Sequence, residues 1–326
     1  MRKIAFMIGD PAGIGPEITV RCIDEYKERG NVSLVLVGDR SSFDRALDVC
    51  GVQLDVQNIT ESDIGESEAD LMFLDVPVEG GETVEYGKVS QKAGACVYRS
   101  LKLILKMIDD KLVDGFVFAP FNKEAMKMGG CPYPSELDMF KDHFNRPEVT
   151  GEINYMDGMW TVRVSSHIAV KDIPLYVKKD RILDSIKFLD KEMQRYQVDS
   201  RRIAVAGLNP HCGEKGLFGT EEGEEIEPAV KAAQELGISA QGPFPADTIF
   251  LRVQNGEFDA IVSMYHDQGQ IATKILGFDK GVTIHGSMPV AIATCAHGTA
   301  FDIAGTGKAR PTALKQALKV VLSSLA

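Results

Sequence analysis

The sequence predicts an α/β protein of two lobes. Strand-like and helix-like segments alternate from end to end, polar motifs recur where strands give way to loops, and 326 residues suffice to bury a large core. The first strand is Ile4–Ile8, followed by a helix that starts near Pro16 and stops at Gly30, then a strand at Val32–Val37. Proline in the first helical turn and glycine just past the end fit the known asymmetry of helix termini. Val97, Leu101, Ile104, Met107 and Ile108 recur at helical spacing over 93–108, ahead of the strand Phe116–Phe118 and the pair Ala119-Pro120. Residues 129–160 read as irregular and hold the single tryptophan, Trp160. Three further strands precede polar motifs: Ile203–Ala206 before Leu208-Asn209-Pro210-His211, Ala260–Met264 before Tyr265-His266, and Val290–Ala293 before His297. Carboxyl ends of strands are where open α/β sheets place ligands. A Gly-rich loop at 296–311 leads to a closing helix with Leu314, Leu318, Val321, Leu322 and Leu325 on its apolar face. Packing of that helix on the first lobe makes the first domain discontinuous: 1–128 plus 300–326, with the second lobe at 129–299.

Composition excludes several classes. Apolar residues are 44% and charged residues 25%, and the net charge of −11 with no basic cluster argues against a nucleic-acid surface. No run approaches the roughly 18 apolar residues of a membrane span. The chain opens on a strand-like run and not on a signal peptide, so a soluble cytoplasmic protein is expected. Six scattered cysteines without a CxxC pair read as free thiols in a reducing compartment.

Half of the six histidines lie beside Gly, Pro or acidic residues at strand ends: His167, His211 and His266. Neutral imidazole is the commonest side-chain ligand of divalent transition metals, and three of them leave positions open for substrate. Each alone also reads as an ordinary loop histidine. Two glycine-rich segments stand apart from them. Gly9-Asp10-Pro11-Ala12-Gly13-Ile14-Gly15-Pro16-Glu17 joins the first strand to the first helix, where backbone approaches a ligand closely and an anion is favoured. It is neither a GxGxxG fingerprint nor a P-loop, and a structural turn is an equal reading. The late loop His297-Gly298-Thr299-Ala300-Phe301-Asp302-Ile303-Ala304-Gly305-Thr306-Gly307 is long enough to wrap a nucleotide, or to be a surface loop ahead of a helix.

The two loops together resemble the isocitrate/isopropylmalate dehydrogenase superfold, whose members bind nicotinamide nucleotide without a Rossmann fold. More closely, the chain resembles the 4-hydroxythreonine-4-phosphate dehydrogenase family. The matching segments are Gly9–Glu17, Ala119-Pro120-Phe121-Asn122-Lys123, Leu208–Glu214 with Phe218-Gly219 and Glu221-Glu222, Gly242–Phe250, Tyr265–Gly269 with Lys274, and His297–Gly305. The resemblance implies a two-lobed α/β/α fold with the active-site cleft between lobes and a homodimer whose second subunit completes the site. It further implies NAD or NADP on Gly13, His297, Gly298, Thr299, Asp302 and Gly305, and one divalent metal (Zn, Co, Mn, Ni or Mg) on His167, His211 and His266. Asp247, Asp267 and Lys274 are the candidate catalytic groups, the aspartates orienting ligands or relaying a hydroxyl proton. A structural role for each aspartate is an equal reading.

The chain departs from the family in its substrate contacts. Where the family has Gly-His-Thr-Glu, this chain has Ser135-Glu136-Leu137-Asp138, and Thr283 and Ile292 replace an Asn and an Arg. Lys274 alone survives of that set. Losing an Arg removes the bidentate fork that suits phosphate, and Glu136 adds an anion. The candidate substrate-binding residues are thus Glu136, Leu137, Lys274, Thr283 and Ile292, with His285 a candidate replacement contact. The pattern points to metal-assisted, NAD(P)-dependent oxidation of a secondary alcohol of a hydroxy acid or dihydrodiol, with decarboxylation where the product is a β-keto acid. The alternatives are an authentic 4-hydroxythreonine-4-phosphate dehydrogenase, a catalytically silent ligand-binding relative, and a metal-dependent hydrolase that would bind no nicotinamide.

Overall fold

The computed structural model describes residues 1–25, 31–146, 151–277 and 279–325. The chain forms two compact units, Met1–Val149 with Val282–Ala326, and Thr150–Gly281.

The first unit contains β1 (Arg2–Met7), β2 (Val32–Gly38), β3 (Gln57–Ile59), β4 (Leu71–Asp75) and β5 (Gly115–Phe118). The second contains β6 (Glu152–Met156), β7 (Met159–Arg163), β8 (Ile203–Ala206), β9 (Ala240–Phe244) and β10 (Ala260–Ser263). The chain then returns to the first unit with β11 (Val282–His285) and β12 (Ala291–Cys295). Strand order in the first unit is β3-β4-β2-β1-β5-β12-β11. All neighbours there are parallel except β11 against β12. Parallel strands are covered on both faces, and β1 accordingly runs Ile4, Ala5, Phe6, Met7 without a polar alternation, each at most 1% exposed. Helix Gln91–Asp109, N-capped by Ser90, buries Val97, Leu101, Ile104, Met107 and Ile108 as the spacing predicts. The closing helix Thr312–Ser323 buries Leu314, Leu318 and Val321. The first helix is described over Gly15–Glu25, and its expected stop at Gly30 lies outside the described residues.

The unit bounds fall near 149/150 and 281/282, not at the expected 128/129 and 299/300. Hydrophobic contact decides this at both junctions. Met139 and Phe140 are fully buried members of the first unit's core, with Tyr133 and Leu137 packed against it, and β12 pairs with β5.

In the second unit the order is β6-β7-β10-β8-β9, with β6 antiparallel to β7 and the others parallel. The expectation of an irregular stretch over 129–160, which spans both units, is corrected. Helix Glu136–His143, capped by Ser135, and the β6–β7 hairpin occupy it. Asp157 and Gly158 turn the hairpin with φ of 46° and 91°, a tight Asp-Gly turn that the reading of this stretch as irregular passed over. Trp160 lies in β7 opposite Ala260 and packs on Tyr155 and Tyr196.

Candidate functional site

In the second unit the three parallel strands β7, β10 and β8 deliver His167, His266 and His211 just past their carboxyl ends. His167 and His266 come together, with ring centroids 5.6 Å apart and planes tilted by 43°. His266 opens helix His266–Gly277, and its Nδ1 lies 2.7 Å from Asp267 Oδ1. An Nδ1–H donated to that carboxylate leaves the Nε2 lone pair for a ligand. Two imidazoles on one divalent ion, each about 2.0–2.1 Å from it through nitrogen, leave ring centroids about 5 Å apart, so this pair fits a shared metal. Among the described residues no group of three His, Cys, Asp or Glu side chains is arranged to hold a metal ion.

His211 sits in a turn of unusual hand. His211, Cys212, Gly213, Glu214 and Lys215 all have φ between 43° and 74°, one continuous left-handed turn. L-residues disfavour that conformation because Cβ crowds the following carbonyl. Gly213 is required there, since a Cβ would lie 2.7 Å from both Glu222 Oε2 and Gly219 O. Glu222, 4% exposed, braces the turn. Its Oε1 accepts the backbone N–H groups of Leu208 (2.8 Å) and Asn209 (2.7 Å), and its Oε2 accepts Asn209 Nδ2 at 3.0 Å. Glu221 Oε2 accepts the same amide at 2.7 Å. Gln268 ties this loop to the His266 loop: its Nε2 donates to Gly207 O and its Oε1 accepts Met264 N–H. Ser165 Oγ donates to Met264 O, which fixes the segment leading to His167. None of Glu222, Gln268 and Ser165 carried a role in the sequence reading, although Glu222 sits in a matching segment.

A cavity of about 540 Å³ opens beside the turn, lined by His211, Cys212, Glu214, Glu222, Glu224 and Glu227 among others. Burial, together with the charges of Glu222 and Asp247, pushes the Cys212 thiol up to about 11. That coupling also locates Asp247, which is exposed, near the turn. Asp267 and Lys274 are exposed on helix His266–Gly277, seven residues apart and so on one face.

In the first unit the two glycine-rich loops meet. Asp10 is buried, and its carboxylate accepts Ala12 N–H at 2.8 Å and Asn122 N–H at 3.3 Å, joining the β1 loop to the β5 loop. Burial pushes its carboxyl above the usual range, against these two hydrogen bonds. Ile14 N–H donates to Thr299 O at 3.0 Å, and a Cβ on Gly13 would stand 3.0 Å from Thr299 Cβ. Glu17 accepts from Gly305 N–H and, at 3.0 Å, from Gly307 N–H. Of the expected cofactor residues, His297 is half-buried with Nδ1 3.1 Å from Gly298 O, Gly298 and Asp302 are exposed, and Gly305 has φ 78°.

The expected substrate contacts fare differently. Ile292 is fully buried in the first unit's core on β12 and presents no side-chain surface to a ligand, a correction that follows from its place in a central strand. Leu137 packs against the same core. His285 is also corrected as a replacement contact, being fully buried with its ring stacked on Phe118 and edge-on to Phe140. Thr283 is half-buried opposite Thr294. Glu136 is nearly buried, with Lys123 Nζ 2.9 Å from its Oε2.

These parallel-stranded units, with loops at strand ends in place of a dinucleotide fingerprint, have the isocitrate/isopropylmalate dehydrogenase-like fold. A β-decarboxylating dehydrogenase from Thermococcus kodakarensis shares that fold at 15% identity and a TM-score of 0.53, covering 100% of this chain and 84% of that one. The family described as pyridoxal phosphate biosynthetic protein PdxA matches residues 31–321, and the chain belongs to it. A Pseudomonas aeruginosa protein provisionally named 4-hydroxythreonine-4-phosphate dehydrogenase 2 is 39% identical over 98% of this chain and 95% of its own length. D-threonate 4-phosphate dehydrogenase of Pectobacterium atrosepticum is 36% identical over 98% of each. The crystal structure of 4-hydroxythreonine-4-phosphate dehydrogenase from Klebsiella pneumoniae superposes with a TM-score of 0.82 at 31% identity, covering 100% of both chains. A terephthalate 1,2-cis-dihydrodiol dehydrogenase from Burkholderia xenovorans does so with 0.69 at 25%, covering 99% of this chain and 98% of that one. As a member of this family the chain is an oxidoreductase acting on a CH–OH group. Among the described residues no helix is long and apolar enough to cross a membrane.

Proposed function

We propose that this protein is a metal-dependent, NAD(P)-dependent dehydrogenase that oxidises a secondary alcohol of a four-carbon hydroxy-acid 4-phosphate, of the 4-hydroxythreonine or D-threonate type. The observation that carries the chemistry is the His167–His266 pair, with Asp267 on the outer nitrogen of His266. His167 and His266, with His211 as third ligand, would hold a divalent cation, which would supply Lewis-acid polarisation of the substrate hydroxyl. The exposed Ile271 and Ile275 on the His266 helix, and Leu217 and Phe218 just after the His211 turn, are apolar surface of the kind that partners cover, which supports a site completed by a second copy.

The chain's own groups have distinct tasks. Asp267 fixes the tautomer and direction of His266. Asp247 or Asp267 accepts the hydroxyl proton. Lys274 opposes a substrate carboxylate or phosphate. The loop 297–307 would hold the nicotinamide nucleotide, which would supply the hydride acceptor for the carbinol carbon, and a β-keto acid product would be prone to decarboxylation.

The ion pair with Lys123 largely neutralises Glu136, so it no longer argues strongly against a phosphorylated substrate. That observation, with relatives at 36% and 39% identity named for phosphorylated substrates, supports the phosphate reading over the dihydrodiol one. The second reading, a non-phosphorylated hydroxy acid or aromatic dihydrodiol, is favoured by the buried Ile292 where the family has Arg. Reduction of NAD or NADP by metal-loaded protein separates them. The panel holds 4-hydroxythreonine 4-phosphate, D-threonate and D-erythronate with and without 4-phosphate, and a terephthalate dihydrodiol. Turnover restricted to non-phosphorylated members overturns the first reading. Activity that survives His211→Ala unchanged overturns the metal assignment.

A further inference from the structure

We propose that Glu17 is the positioning residue of the nucleotide loop, holding residues 305–307 in the binding-competent form before the nicotinamide nucleotide arrives. The inference rests on the reading that loop 297–307 binds that nucleotide. Glu17 is in the first turn of helix Gly15–Glu25 and is fully buried. An acidic side chain there ordinarily serves its own helix, by favourable interaction with the N-terminal dipole. Here it turns outward. Both carboxylate oxygens accept from the distant loop, one from Gly305 N–H and the other from Gly307 N–H. From the same helix Arg21 Nη2 donates to Gly307 O at 2.8 Å, so Gly307 is held through both its N–H and its C=O. Ile14 N–H donates to Thr299 O at the other end of the loop.

The loop needs such an anchor. Its backbone from Phe301 to Gly307 is turn rather than helix or strand; Ile303 and Thr306 N–H pair within the loop, and Gly305 and Gly307 N–H go to Glu17. A loop that is only partly ordered binds with its intrinsic affinity divided by the competent fraction. Glu17 touches no reacting atom in this arrangement. Its loss therefore weakens nucleotide binding in the free enzyme, while the ternary complex, in which the nucleotide itself clamps the loop, turns over at nearly the normal rate.

The test compares wild type, Glu17→Gln and Arg21→Met, all metal-loaded. Gln keeps one acceptor and turns an NH2 group towards the other loop donor. Because hydrogen bonds to charged groups are the stronger ones, the KM and Kd for the nucleotide should rise by about tenfold in Glu17→Gln. The value of kcat should stay within about twofold, which is the split expected when only free-enzyme binding is weakened. Arg21→Met should move KM in the same direction by less. Trypsin cleavage after the exposed Lys308 should be faster in both variants and suppressed by saturating nucleotide. Equal nucleotide affinity and equal cleavage in wild type and both variants overturn the proposal. So does a fall in kcat with KM unchanged. If Glu17→Gln does not fold, Arg21→Met decides alone by the same readouts. Wild-type protein that binds neither NAD nor NADP by calorimetry is the distinct outcome that overturns the loop's assignment itself.

Discussion

Replacing Glu222 by Ala is the sharpest probe of how this protein holds His211. The perturbation removes the acceptor of Leu208 N–H and Asn209 N–H and one of the two acceptors of the Asn209 amide. Each buried donor left unpaired costs about 1–3 kcal/mol. The turn it braces is itself unfavourable. Its four non-glycine residues His211, Cys212, Glu214 and Lys215 lie in the left-handed region. At about 1–2 kcal/mol each they store roughly 4–8 kcal/mol that the surrounding contacts must offset. Part of the lost bonding is recovered when the turn relaxes and water enters, so a net loss of about 3 kcal/mol is expected. With unfolding entropy of roughly 2.1 cal/mol/K per residue, a single transition of this chain would lower its Tm by about 4–5 °C. The same relaxation swings His211 away, so zinc bound per chain, measured by elemental analysis after equilibration and gel filtration, should fall well below that of wild type. Glu222→Gln, which keeps one carbonyl acceptor for the two backbone donors, should retain most of both. The reasoning is refuted if Glu222→Ala keeps full zinc occupancy and a Tm within about 1 °C of wild type.

Other perturbations follow from the same geometry. His167→Ala and His266→Ala should each abolish metal retention and turnover with little change in Tm, since His167 is exposed and His266 only half-buried; far-ultraviolet melting and metal analysis check this. Asp267→Asn should weaken metal binding by about 10-fold or more by removing the carboxylate behind His266, as read from zinc titration. Cys212 should resist iodoacetamide at pH 8, and its alkylation, followed by mass spectrometry, should rise only as pH approaches about 11. Its folded-state value lies above the ordinary thiol value, so the associated stability is present below about pH 8.5 and is lost as pH rises towards 11. Asp259 runs the other way. Burial would raise its carboxyl, but hydrogen bonds from Arg202 and Ser200 outweigh that and hold it below the usual carboxylate range. Its contribution is therefore present above about pH 4 and lost below, and Asp259→Asn should shrink the wild type's loss of Tm on acidification.

Much of the architecture was legible from the chain. The strands Ile203–Ala206 and Phe116–Phe118, the amphipathic helix over 93–108 and the apolar face of the last helix all carry periodicity that local packing enforces, and the structure contains them. The segment 129–160 was misread because its helix is short and its hairpin strands are brief, so neither builds up a long periodic signal. The strands read before His211 and His266 are present as β8 and β10, and His167 likewise follows a strand, β7, inside a stretch that the sequence read as irregular.

What the sequence could not carry is anything that depends on which distant side chain comes near. Ile292 and His285 looked like pocket residues until their strands placed them inside the first unit. Glu136 looked like a free anion until Lys123 was found beside it. Glu17 appeared only as the end of the first glycine-rich segment, yet its hydrogen bonds reach Gly305 and Gly307, 288 and 290 residues away. Element type follows from local spacing, whose energetics are set within a few residues. Pairing of a charge, burial of a ring and bracing of a strained turn are decided by long-range packing, and only the tertiary structure brings those groups within a few ångströms.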